Sequence, residues 1–298
     1  ATWAEGDHLF QHADAVVFGN PGAGAVNLVG TVSPQSVVFE STGLNHYTIT
    51  GTGTITGAGG GIVKNGDSWP TLGGQNTSTG PTHVNAGRLI AGWTGGSGRT
   101  SGIRVAAGAV LDLNGQVQAT TDVRVSGGGD GLIPAITDGS TAFGGVRSIT
   151  LEADATFGGP AGKGFSLGAN GTIDGGGFVF TKVGENDVRL LGRAKDLRTV
   201  VQGGSLSGWG TDSFGESLTI KGGASVRTEK GGRYTSNVVF EAVGTQVGVL
   251  RHVGIEDSFW TGSLTSDGGM RIYNDGGNSS GMILSGDLNV PGHLGFNS

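Results

Sequence analysis

The chain carries a copy of part of itself. Gly53-Thr54-Ile55 returns as Gly171-Thr172-Ile173, 118 residues later, and Lys64, Gly66 and Leu72 return at the same offset as Lys182, Gly184 and Leu190. The tag Val84-x-x-Gly87-x-Leu89 returns as Val201-x-x-Gly204-x-Leu206, offset by 117. What recurs is glycine punctuation and apolar spacing, with no catalytic side chain among it. A scaffold duplicated without its chemistry points to a solenoid, in which each repeat buries its apolar face only against its neighbours.

Composition narrows the choice. Glycine supplies 63 of 298 residues but keeps no period of three, which excludes collagen. A 35% hydrophobic content with a net charge of −6 leaves material for a core and argues against disorder. Many glycines, many β-branched residues and no capped helical stripe predict an all-β chain rich in turns. Short apolar runs bounded by Gly, Asn or Asp predict strands at 15–18, 26–28, 36–39, 47–50, 61–64, 88–91, 103–105, 110–113 and 123–125. Further strands are predicted at 148–151, 178–181, 188–191, 218–221, 238–241 and 270–273. The absence of cysteine excludes disulfides, thiolate nucleophiles and cysteine-bound metals. No apolar run is long enough to span a bilayer as a helix. The 18 Lys and Arg are scattered and the pI is about 5.4, so no nucleic-acid partner is expected. The chain starts at Ala1 without a signal peptide, as a processed or partial chain would.

Glycine spacing sets the pitch. Gly87 and Gly108 lie 21 residues apart, and Gly204 and Gly223 lie 19 apart, each a corner where φ > 0 or a close backbone approach is needed. The expected fold is a single-stranded parallel β-helix of roughly 15 rungs, about 4.8 Å each. It would run as one continuous β-solenoid over 1–298, with degenerate tandem units at about 36–130 and 148–245 and a fading third at about 248–298. A two-sheet sandwich is the rival. Val84, Leu89, Val105, Leu111, Ile173, Leu190, Val201, Leu206 and Ile220 should point inward. Gly127-Gly128-Gly129-Asp130-Gly131, followed by Pro134, reads as a loop leaving the coils. The last segment has Ile283, Leu284, Leu288 and Leu294 but nothing to cover a final edge, so self-association or continuation through open solenoid ends is expected.

Leu72, Gly74, Asn76, Gly80, Thr82, Val84, Gly87 and Leu89 fall at the spacing L-x-G-x-N-x-Y-x-G-x-T-x-V-x-x-G-x-L. This stretch resembles the autotransporter-associated β-strand repeat, with Ser78 where that family usually has an aromatic. The second copy keeps Leu190, Gly192, Val201, Gly204 and Leu206 but has Ala194 in place of the Asn. The resemblance implies a right-handed parallel β-helix in the exported passenger of a large bacterial surface protein, extracellular or at the cell surface. Proteins of this kind serve as adhesins, stalks, fibres or scaffolds. The resemblance carries over no catalytic residue and no cofactor.

Other motifs have plainer readings. Gly66-Asp67-Ser68-Trp69 looks like a serine-esterase block, but no Asp-x-x-His follows near the C-terminus, and the second copy reads Gly184-Glu185-Asn186. A turn between rungs is the reading. Gly158-Gly159-Pro160-Ala161-Gly162-Lys163-Gly164 lacks the phosphate-loop spacing and a following helix. Polysaccharide lyases and hydrolases also use β-helices. The nearest acidic cluster here is Asp174, Glu185 and Asp187 beside Lys182 and Arg189, and it reads as a solvated charged face. His8 and His12 have zinc spacing only on a helix, which the segment lacks. Trp69, Trp93 and Trp209 fall in loops beside rungs, where they pack corners or stack on the sugar rings of surface glycans. Three readings follow: a non-catalytic stalk, fibre or scaffold, a carbohydrate-binding adhesin, and a glycan-cleaving enzyme.

Overall fold

A strand of three to five residues with one apolar face is unstable by itself, and this chain buries each such face by coiling. The computed structural model describes residues 11–57, 59, 61–92, 101–169, 171–277 and 280–291, and the backbone of 4–5, 8–9 and 294–297. Among these residues it is all-β without helix, its parallel strands stacked as a β-solenoid of about 12 turns. Roughly 15 were expected from coils of uniform length, but the coils are uneven. Asp187 pairs with Ser205, whereas Val37 pairs with Ile62, seven residues farther along its coil. Extra residues at corners lower the number of turns a given length can make.

The chain forms two compact units, Ala1–Arg147 and Ser148–Ser298. In the first, one face stacks Ala15–Phe18, Ser36–Phe39, Ile62–Lys64, Thr82–Val84 and Ile103–Val105, all parallel. A second stacks Gly24–Asn27, Tyr47–Thr50, Thr71–Gly73, Gly87–Gly92 and Ala109–Asp112. A narrow third is made of Thr31–Val32, Thr54–Ile55 and Gln75–Asn76. In the second unit, one face runs through Ala155–Gly159, Val179–Gly184, Arg198–Val201, Ser217–Lys221 and Asn237–Glu241. Another runs through Gly164–Leu167, Asp187–Leu190, Ser205–Gly208, Ser225–Thr228, Gly248–His252 and Met270–Asn274. Gly232–Tyr234, Ser258–Trp260 and Met282–Leu284 form its third.

Parallel register turns sequence alternation into columns. Phe39, Lys64, Val84 and Val105 stack in one inward column, and Phe157, Lys182, Val201 and Ile220 in another. All eight are fully buried. The nine positions read as inward are buried too, each worth about 1.5–3 kcal/mol for a Val, Leu or Ile side chain. Aromatic rings stack across rungs: Phe157 on Phe180 at 4.2 Å, and Tyr234 on Trp260 at 4.7 Å with Phe214 beyond. The corners need glycine. At Gly87 (φ +63°) an added Cβ would lie 2.7 Å from the backbone of the preceding coil, and at Gly204 (φ +61°) 2.5 Å from the Gly184 carbonyl.

Candidate functional site

Outward side chains on these strands also line up, so the surface carries columns of its own. In the first unit, Trp69 is 44% exposed at the turn after Ile62–Lys64. Its ring stacks on His46 at 5.3 Å, with the Arg88 guanidinium 5.8 Å from the ring centre. The Trp69 backbone N–H donates to His46 Nδ1. Arg88 also pairs with the buried Asp112. In the second unit, Trp209 is 39% exposed, with Arg189 at 5.8 Å from its ring. Trp93 lies outside the described residues.

Arg189 belongs to a larger array. Arg189, Ser207, Arg227, Arg251 and Tyr273 are register partners on successive strands. Asp187 pairs with Arg189 at 3.1 Å and Arg227 at 3.0 Å, Glu229 pairs with Arg227 at 3.3 Å, and Asp275 with Arg251 at 3.2 Å. Ser207 Oγ donates to Asp187 at 2.9 Å. The Arg251 guanidinium lies 4.9 Å from the Tyr273 ring. The acidic cluster read from the sequence is therefore divided. Asp187 is held by these arginines, while the Asp174 carboxylate accepts the Gly176 N–H. Sequence reading passed over Arg227, Glu229, Arg251, Tyr273 and Asp275. The signal was period two: each arginine lies between inward residues, as Arg227 does between Val226 and Thr228.

The repeat residues lie at their corners and inside their columns. Leu72, Asn76, Thr82, Val84, Leu89, Leu190, Val201 and Leu206 are buried. Gly74 has φ +78°, Gly80 is buried, and a Cβ on Gly192 would meet the Gly171 carbonyl at 2.8 Å. Ser68 is fully buried, with its hydroxyl bonded to Ser41 Oγ at 2.7 Å, so it packs a turn and faces no substrate.

The duplicated lysines were read as scaffold spacing, yet they do distinct work. Lys64 Nζ donates to the carbonyls of Gly66 and Ala86. Lys182 Nζ donates to those of Val183, Gly184 and Gly203 at 2.9–3.1 Å. Each ammonium thus ties its own corner to the residue before the next coil's corner glycine. Burial pushes each down from the ordinary 10.5 to about 8, against the opposing pull of Asp67 on Lys64 and of Asp187 and Glu185 on Lys182.

Two buried acids are also committed to backbone. Asp112 accepts the N–H groups of Asn114 and Gly139, and Asp138 those of Gly115, Ser140 and Gly144. Burial raises the Asp138 pKa, those three N–H groups pull it back, and the nearby Asp112 adds to the rise. Carboxylates occupied by N–H donors, and in Asp112 also by the Arg88 guanidinium, are poorly placed to hold a metal ion, and no metal-holding group of three His, Cys, Asp or Glu occurs among the described residues. His252 is buried, with Nδ1 3.0 Å from both Thr228 Oγ1 and Ser258 Oγ and Nε2 3.3 Å from Ser280 Oγ. Burial pulls its pKa down, opposed by Asp257.

The parallel β-solenoid fits the passenger β-helix of the autotransporter class. The sequence comparison narrows this further: the chain is 31% identical over 241 residues, 80% of its length, to the adhesin BmaC autotransporter of Brucella suis biovar 1 (strain 1330). It spans about 6% of that protein's length. No family model matches the chain, and no solved structure matches it. No helix among the described residues is long and apolar enough to cross a membrane.

Proposed function

We propose that this chain is a non-catalytic structural segment of an exported bacterial surface protein, acting as a stalk or scaffold of an adhesin. The observation that carries the reading is the likeness to an autotransporter adhesin across 80% of the chain, on a fold whose duplicated Ile, Lys, Leu and Val side chains are all internal. The ionisable groups support it. Asp187 and Glu229 are consumed in ion pairs, and Asp112 and Asp138 face backbone donors, so none is poised as the free acid and base of glycan hydrolysis. The test is incubation of the purified chain with acidic and neutral polysaccharides, followed by assay of new reducing ends and unsaturated products. Neither should form, and turnover abolished by Asp187→Asn would overturn the reading.

A second reading, carbohydrate-binding adhesin, is favoured by the exposed tryptophans with arginines beside their rings. A glycan array probed with the chain separates the two: a flat array fits a pure scaffold, and a defined set of hits fits an adhesin.

A further inference from the structure

We infer that the outer face of the second unit, from Trp209 to Tyr273, is a binding site for a linear, uncharged oligosaccharide lying along the stacking direction. This rests on the adhesin reading and gives it a location and a ligand class.

Register sets the spacing of this face. Arg189, Ser207, Arg227, Arg251 and Tyr273 occupy one column on five successive strands, so their spacing is the rung spacing of the sheet, with the Ser207 hydroxyl buried beneath Asp187 and Arg227. Trp209 lies two residues beyond Ser207, three rungs from Tyr273, or about 14 Å along the column. An aromatic ring thus stands near each end of a row of polar groups. Such rings offer flat apolar area to the C–H faces of a sugar, and the polar tips around them satisfy hydroxyls.

Charge selects the ligand. The arginines 189, 227 and 251 are matched by the carboxylates Asp187, Glu229 and Asp275, so the array has no formal net charge. The whole chain carries −6. A polyanion would meet Asp187, Glu229 and Asp275 as well as the arginines and would gain little net attraction. A neutral chain of hydroxyls meets guanidinium donors and carboxylate acceptors side by side, held in place by their own ion pairs. That preorganisation lowers the ordering cost of binding.

The pair in the first unit is built differently. Trp69 is stacked ring to ring on His46 at 5.3 Å, so one face of it is already covered within the fold. Sequence alone ranked Trp69 and Trp209 together, and their surroundings distinguish them.

The experiment measures binding of the intact chain to cellohexaose, maltohexaose and chitohexaose, to the corresponding disaccharides, and to a heparin hexasaccharide, by calorimetry at two salt concentrations. At least one neutral hexasaccharide should bind, its disaccharide should bind far less, and salt should have little effect. Trp209→Ala and Tyr273→Ala should each weaken that binding about tenfold or more, with thermal melts showing both variants folded. If either alanine variant melts early, Trp209→Leu and Tyr273→Leu serve instead, filling the space without a flat ring, and full binding by the folded leucine variants would overturn the location. Neutral binding lost in Trp69→Ala but intact in Trp209→Ala would overturn the proposed location while leaving the adhesin reading standing. Binding of the heparin probe alone, abolished by salt, would overturn the ligand class. No binding by any probe would overturn the site and leave the scaffold reading.

Discussion

Replacing Lys64 and Lys182 together by methionine should remove a rise in stability that the parent shows on the alkaline side of neutrality. Both ammonium groups are buried, and burial lowers each from 10.5 to about 8. Between those values the folded chain holds fewer protons than the unfolded chain, so unfolding takes up protons and stability must increase as pH rises. At about 1.4 kcal/mol per pH unit of difference, each lysine adds about 2 kcal/mol between pH 7.5 and 9.5, or about 4 kcal/mol for the pair. Unfolded tyrosines begin to ionise only at the top of that window, where their opposing effect is small. The methionine variants separate two opposing effects. At pH 7.5, Lys182→Met relieves about 3 kcal/mol of charge burial. It also leaves the carbonyls of Val183, Gly184 and Gly203 without their shared donor, at about 1–3 kcal/mol each. A net loss of about 3 kcal/mol is expected at pH 7.5, growing as the parent gains stability with pH. The assay is urea unfolding at several pH values across the window. A flat parent profile, or a rise that survives in the double variant, would refute the assignment of buried, charged lysines to the two corners.

Val84→Asp or Val201→Asp should cost several kcal/mol, since both sites are fully buried and offer no partner cation beyond the committed corner lysines; unchanged urea midpoints would contradict the inward columns. Gly204→Ala forces a Cβ to 2.5 Å from the Gly184 carbonyl at φ +61° and should lower the melting temperature well beyond a surface Gly→Ala change, such as one at Gly281. Because burial lowers the His252 pKa, stability should fall as pH drops below about 6.5, when the unfolded imidazole takes a proton that the folded one resists. His252→Gln should flatten that acid limb, as read by thermal melts from pH 7 to 5.

Architecture was far more legible in the sequence than the surface was. Predicted strands such as 36–39, 47–50 and 103–105 coincide with Ser36–Phe39, Tyr47–Thr50 and Ile103–Val105, because alternation and bounding glycines are local signals. The narrow third faces went unseen. Thr54–Ile55 and Thr31–Val32 are two residues long, too short to show a period, and are recognised only by their register partners. The lysines were misjudged for a related reason: residue type places Lys in water, and only the columns of Phe39 with Lys64 and Phe157 with Lys182 show them inside. The row ending at Tyr273 was invisible because its members are scattered over residues 189–273 and meet only through pairing across coils.

The excursion at 126–135 has a consequence for how such a molecule acquires new parts. Its two ends are anchored by ladder hydrogen bonds, Ser126 N–H to the Val105 carbonyl and Leu111 N–H to the Ala135 carbonyl. Its tip, where Leu132 is 95% exposed, is shaped locally by Asp130 accepting the Leu132 and Ile133 N–H groups. Lengthening such a detour adds closure entropy only logarithmically, about 0.6 kcal/mol per doubling, and leaves the neighbouring coils in register. The coil therefore behaves as a mounting rail. A whole foreign module can be spliced in at the tip, while the rungs on either side continue as though nothing had been added.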